Sequence, residues 1–168
     1  MGLSIKDRKL TLLGGGGAAS SILIGASFGG AKEISVFCRS LSSRNRMEET
    51  AQSIRRYRDT AISFFDFQDE DILKREISGS LLLANATSVG MAPDTDRTPV
   101  PASCLSARTA VFDAIYSPKE TLLLQNARKT GCRTANGLPM LVGQAGASFK
   151  LWTGLEMPAE IIMEKLSS

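Results

Sequence analysis

Apolar and polar positions fall in blocks along this chain, and the period changes from block to block. Leu10-Thr11-Leu12-Leu13 is a short apolar run that stops at four glycines, Gly14 to Gly17. Beyond them Ile22, Leu23, Ala26 and Phe28 recur at helical spacing until Gly29-Gly30 ends the pattern. These blocks predict a strand over 9–13, a helix over 17–28 and a strand over 33–37. A helix over 45–57, a strand over 61–65 and a short helix over 69–77 follow. Leu81-Leu82-Leu83-Ala84 reads as a strand that is apolar on both faces, as parallel sheets covered by helices require. A polar loop over 85–91 and a proline-broken loop over 93–101 lead to a strand over 109–112. A helix over 119–129, capped by Gly131, precedes two last helices over 138–152 and 158–166. Strand and helix alternate throughout. The prediction is an α/β fold: a doubly wound, Rossmann-type parallel sheet with helices on both faces and two C-terminal helices.

The junction at the glycines carries the first candidate chemistry. Gly14, Gly16 and Ala19 fit G-x-G-x-x-A between a strand and a helix, the context of a dinucleotide-binding turn. Gly14 permits the tight turn, Gly16 leaves room for a pyrophosphate, and Ala19 lets helix lie close on strand. The free N–H groups of the helix start, Gly17 and Ala18, then face an anion with the helix dipole behind them. A plain glycine-rich strand-to-helix connection is the alternative, and the elements on both sides favour the nucleotide site. At the end of the second strand, sites for NAD place a carboxylate to bond the ribose 2′-hydroxyl. This chain has Cys38-Arg39-Ser40 there, with Arg44 and Arg46 close behind. A guanidinium suits the 2′-phosphate of NADP, so NADP is preferred with NAD possible. The alternative is that these arginines only solvate a loop and a helix start. On this reading residues 1–8 are a lead-in, 9–137 the NAD(P)-binding domain, and 138–168 helices packing back on it.

Composition narrows the choices further. The chain has 168 residues, 43% of them hydrophobic, which suits one domain with a real core. Its net charge of +3 is mild and its basic residues are scattered or in one local cluster, which argues against nucleic acid as a partner. There is no histidine, which removes histidine bases, triads and most transition-metal sites. Cys38, Cys104 and Cys132 are too far apart for a metal knuckle and read as idle thiols in a reducing compartment. No metal is expected. No run is apolar enough to span a bilayer and no signal peptide is evident, so the expected location is cytoplasmic without membrane attachment. Met1-Gly2-Leu3-Ser4-Ile5-Lys6 has Lys where a myristoylation signal needs Ser or Thr.

Five stretches together resemble the shikimate dehydrogenases, including their quinate/shikimate branch. They are LLGGGGAA at 12–19, NATSVGM at 85–91, VFDAIYSPKETLLL at 111–124, GCRTANGLPMLVGQA at 131–145 and SFKLWTG at 148–154. They stand in the family's order and at its spacing, and cover nearly the whole chain. The resemblance implies an enzyme part that uses NADP, or in some branches NAD, to reduce 3-dehydroshikimate to shikimate in aromatic amino acid biosynthesis. It implies that Gly14, Gly15, Gly16, Gly17 and Ala18 hold the pyrophosphate, and that Cys38, Arg39 and Ser40 meet the adenosine ribose. Asn85, Thr87 and Ser88 would border the cofactor, and Ala114, Ile115 and Gly137 would flank the nicotinamide. Tyr116 and Gln144 match the family's substrate contacts. On the residues alone, a packing tyrosine and an exposed helix glutamine are the simpler readings, and the resemblance reverses that preference.

The chain also departs from the family. Gly15 stands where Ala is usual, which is expected to change little. Cys38 replaces an Asn, and Pro139 replaces a Gly at a helix start, where proline is acceptable. The family's N-terminal domain, which binds most of the substrate and supplies a catalytic Lys and Asp, has no counterpart before the first strand. No catalytic residue is therefore assigned, and these 168 residues are expected to be inactive alone. Trp152, Phe149 and Met157 are expected to form an exposed apolar patch on the C-terminal helices, suited to a partner chain or a homodimer. The alternative function is a non-catalytic module that binds or senses NADP(H).

Overall fold

The computed structural model describes residues 2–167. Met1, the first residue of the expected lead-in, and Ser168, the last of the expected C-terminal region, lie outside the described residues. Six strands form one sheet in the order β3-β2-β1-β4-β5-β6. They are β1 (Lys9–Leu13), β2 (Glu33–Phe37), β3 (Ala61–Phe65), β4 (Leu82–Asn85), β5 (Ala110–Asp113) and β6 (Thr134–Ala135). Every neighbouring pair is parallel. The helices between them are α1 (Gly17–Phe28), α2 (Leu41–Arg55), α3 (Glu70–Ser78) and α4 (Leu122–Lys129), and α5 (Leu138–Thr153) and α6 (Ala159–Ser167) follow β6. A short 3-10 turn, Ala102–Cys104, lies between β4 and β5. The doubly wound sheet expected from the alternation is present.

Strand side chains alternate between two apolar layers. Leu10, Leu12, Ile34 and Val36 pack with Ala19 and Leu23 of α1 and Met47, Ala51 and Ile54 of α2. Leu13, Phe37, Leu83 and Val111 pack on the other face with Leu73 and Ile77 of α3 and Leu123, Leu124 and Ala127 of α4. That second face turns polar toward the strands' amino ends. There Thr11 and Ser80 share a 2.8 Å hydrogen bond. Glu76 of α3 accepts from Ser35 at 2.6 Å and from Lys9 at 2.6 Å. Lys9 also donates to Glu33 at 2.5 Å, so one ammonium ties β1, β2 and α3 together.

Two helix starts lie three or four residues from the sequence expectation, each because of a cap. α2 begins at Leu41 rather than at 45, because Ser40 accepts from the Ser43 N–H and Ser43 answers with its own hydroxyl. α4 begins at Leu122 rather than at 119, because Thr121 caps it by accepting from the Leu124 N–H at 3.4 Å. β6, unpredicted, is two residues long and exists through its parallel pairing with Val111 and Phe112.

The expected packing of the C-terminal helices on the domain is confined to the amino end of α5, where Leu138 and Val142 are buried. Farther along, α5 turns back through Gly154 and packs on α6, with the Met157 side chain against Gly146. Trp152 is 82% exposed and Leu151 86%, whereas Phe149 and Met157 are half-buried. No helix among the described residues is long and apolar enough to cross a membrane.

Candidate functional site

The topology reverses at β1 and β4, and the loops after these strands meet across the gap. In open α/β sheets this crevice, at the strands' carboxyl ends, is where ligands bind. Gly14 follows β1 with φ +118, and a Cβ there would sit 2.7 Å from the Ala86 carbonyl oxygen. Its N–H donates to the Phe37 carbonyl at 2.9 Å. At Gly15 a Cβ would lie 2.6 Å from the Cβ of Ser43. Gly15 is therefore not interchangeable with Ala here: the turn passes hard against the backbone and Cβ of the residue that closes the α2 cap. At Gly16 and Gly17 an added Cβ would meet nothing within 4 Å. The first two glycines serve packing, and the next two face open space.

That open space is a groove made of two adjoining clefts. One, of about 400 Å³, runs from Gly14–Gly16 past Ala86–Val89 to Arg39, Ser40 and Arg46. The other, of about 470 Å³, runs from Gly16–Ala18 past Thr87 and Ser88 to Ala114–Ser117. Gly16, Ala86, Thr87 and Ser88 border both. The α1 start opens between them, with Gly16 as its N-cap, no side-chain cap and no acidic residue in its first turn. Its leading N–H groups are free for an anion. A larger cleft of about 670 Å³, lined by Arg55, Tyr57 and Arg58 among others, lies by the amino end of β3, away from these loops.

The groove gathers most of the residues singled out in the sequence. Gly14–Ala18, Arg39, Ser40, Thr87, Ser88, Ala114, Ile115 and Tyr116 all line it. Cys38, Asn85, Gly137 and Gln144 do not. Cys38 is buried, its thiol donating to the Gly14 carbonyl at 3.7 Å, and burial pushes its pKa up. Gly137 packs on the back of the groove wall: a Cβ there would fall 1.9 Å from the Ala114 carbonyl oxygen, and its N–H donates to the Ile115 carbonyl at 3.0 Å. Gln144 is exposed on α5.

Asn85 is fully buried and acts through others. It is the register partner of Asp113 across β4 and β5, and its amide donates to the Asp113 carboxylate at 2.9 Å. Its carbonyl oxygen accepts from the Thr87 N–H at 3.0 Å and the Thr87 hydroxyl at 2.8 Å. Asp113 also accepts from the Ile115 N–H at 3.1 Å and the Thr121 hydroxyl at 2.6 Å. One buried carboxylate thus fixes both walls of the wider cleft. Burial raises its pKa, and the bonds from Thr121, Ile115 and Asn85 oppose that rise. Asp113 has no role in the sequence pattern alone; its one local signal is a carboxylate ending an apolar strand, AVFD.

The arginines divide. Arg44 is held by Glu48 at 2.8 Å and lies over the Phe64 ring, so it belongs to the helix surface. Arg46 reaches the Gly15 carbonyl at 3.4 Å. Arg39 is exposed at the groove mouth and has no ion-pair partner among the described residues. Among the described residues, Tyr116 is the only titratable side chain lining the wider cleft.

A family model for the shikimate 5′-dehydrogenase C-terminal domain matches residues 137–166. The NADP(+) shikimate dehydrogenase of Listeria monocytogenes is 40% identical over 98% of this chain, which spans 57% of that relative's length. The corresponding Streptococcus pneumoniae enzyme is 43% identical, with the same coverage of both chains. A crystal structure of the Listeria monocytogenes enzyme in complex with shikimate and NAD superimposes with a TM-score of 0.90, covering 98% of this chain and 57% of that one.

Proposed function

Over the stretch it spans, the chain belongs to the shikimate dehydrogenase family, matching its C-terminal NADP-binding part, and we propose that it holds NADP(H) for the interconversion of 3-dehydroshikimate and shikimate, with quinate as the alternative substrate. The observation that carries this reading is the groove: a continuous path from Arg39, which has no ion-pair partner among the described residues, over an uncapped helix start, to Tyr116. The fit is supported by Gly16, where the empty space would admit a pyrophosphate and a side chain would intrude on it. Arg39 meets the 2′-phosphate, the N–H groups of Gly17 and Ala18 meet the pyrophosphate, and Ala114 and Ile115 border the nicotinamide. Bound NADPH supplies the hydride. NAD remains a second cofactor, because Arg39 does not exclude a ribose hydroxyl.

The chain's own part is to bind, orient and exclude water. Asp113 and Asn85 hold the loops on either side in register, so Thr87 and Ile115 present fixed walls. Cys38 and Gly137 support these walls from behind, Cys38 beneath the Gly14 turn and Gly137 beneath Ala114. The Tyr116 hydroxyl and the Gln144 carboxamide, which can both donate and accept, contact the substrate's hydroxyl and carboxylate groups. Proton transfer needs a positioned acid or base, and among the described residues the wider cleft is lined by no carboxylate, lysine or histidine. The proton therefore moves through a substrate-binding segment outside these residues, in the same polypeptide or in a partner docked against α5 and α6, in a cytoplasmic setting.

The test is turnover. These 168 residues, given shikimate and NADP+, should bind the nucleotide and yield no NADPH until a substrate-binding domain of the family is added. Turnover by the chain alone would contradict the division of labour. Nucleotide binding with no turnover even after that addition would leave a sensing module as the better reading.

A further inference from the structure

A third cleft, of about 290 Å³, opens beside the groove and is lined by Arg39, Phe67, Glu70, Thr87, Val89 and Arg97 among others. Arg39, Phe67, Thr87 and Val89 also border the 400 Å³ cleft, so the two spaces meet at Arg39. Arg97 arrives from the proline-broken loop after β4, a segment to which the sequence reading gave no role. Its backbone is held at the carboxyl side. Gly90, at φ +95, approaches so closely that a Cβ would lie 3.0 Å from the Arg97 carbonyl oxygen. One residue on, the Thr98 hydroxyl donates to the Val100 carbonyl at 3.0 Å, and Val100 is buried in the core. The Arg97 side chain is exposed, and neither Arg97, Arg39 nor Glu70 forms a salt bridge among the described residues.

We infer that Arg39 and Arg97 form a two-guanidinium subsite for the 2′-phosphate of the adenosine, and that Arg97 is the residue separating NADP(H) from NAD(H). The inference rests on the nucleotide reading proposed above. Two guanidiniums stand here against one carboxylate, Glu70. The surplus of positive charge suits a phosphate monoester carrying about −1.5 to −2. A ribose 2′-hydroxyl offers no charge to either arginine. Gly90 and Val100 hold the backbone at the carboxyl side of Arg97, and the planar fork of that residue can bond two phosphate oxygens. Glu70 acts in the opposite sense, repelling the phosphate while leaving an unphosphorylated ribose unaffected.

The test compares NADPH and NADH dissociation constants by nicotinamide fluorescence for the unaltered chain, Arg97→Ala and Glu70→Gln. Arg97→Ala should weaken NADPH about tenfold, the usual scale for one charge-assisted hydrogen bond, and change NADH by less than about twofold. Glu70→Gln should tighten NADPH and leave NADH alone. An Arg97→Ala chain that binds NADPH as before, or loses both nucleotides equally, overturns the inference and spares the nucleotide reading. An unaltered chain that binds neither nucleotide overturns both.

Discussion

At Gly137 a Cβ would lie 1.9 Å from the Ala114 carbonyl oxygen, and at Gly16 it would meet nothing within 4 Å. The two glycines therefore predict opposite mutant behaviour. Gly137→Ala forces backbone against backbone and should lower unfolding stability by about 2 kcal/mol or more, read from urea denaturation. Gly16 has φ −92, which any residue tolerates. Gly16→Ala should leave the denaturation midpoint nearly unchanged and weaken nucleotide binding about tenfold or more, because the methyl group enters the proposed pyrophosphate path. Asp113 adds a titration at the same scale. Its folded-state pKa is raised above 3.8 by burial. The folded state thus holds the proton longer than the unfolded one, and stability falls as pH rises from the unfolded value through the folded one. Asp113→Asn should remove that fall from the pH dependence of unfolding. A decline of unchanged slope would show that another group causes it.

At the scale of elements, the ion cluster at the sheet's amino ends ties β1, β2 and α3. Burial alone would lower the Lys9 pKa, but its bonds to Glu33 and Glu76 outweigh that and hold it above 10.5. Burial would likewise raise that of Glu76, yet Lys9, Ser35 and Arg75 hold it below 4.5. The Lys9 contribution is complete below pH 10.5 and is lost as pH rises through its folded value. The Glu76 contribution is complete above pH 4.5 and is lost as pH falls through its folded value. Glu76→Ala should cost on the order of 3 kcal/mol, since it strips a buried partner from Lys9 and Ser35. Sequence pattern made most elements legible. The bounds of β1, α1, β2 and β3 follow from apolar runs closed by glycines or polar turns. The pattern was silent where structure depends on distant residues. Ser43 stands where a capping box usually has Glu, so the early start of α2 was hidden. β6 is too short to have a period. Asn85 and Asp113 are 28 residues apart and meet only because β4 and β5 pair in parallel. Arg97 lies in a proline-broken loop with no period at all, so its place beside Arg39 needed the folded chain. The glycine turn and Arg39 stand in local sequence patterns, so the sequence alone raises them as candidates, and both line the groove.

The whole molecule is one twisted sheet between two helical layers, with its groove where the winding reverses. On the proposed function this groove, and not the larger cleft at Arg55–Ser63, is the nucleotide site. The α5–α6 hairpin, exposed at Leu151 and Trp152, contributes none of its described residues to the lining of that groove and should be little affected by nucleotide. The most direct measurement is a titration of the isotopically labelled chain with NADPH, followed by amide chemical shifts. The largest shifts should fall on Gly16, Gly17, Ala18, Arg39, Thr87, Ser88 and Ile115, with α6 nearly silent. Shifts centred on Arg55, Tyr57 and Arg58, or none at saturating nucleotide in a folded chain, would contradict that assignment.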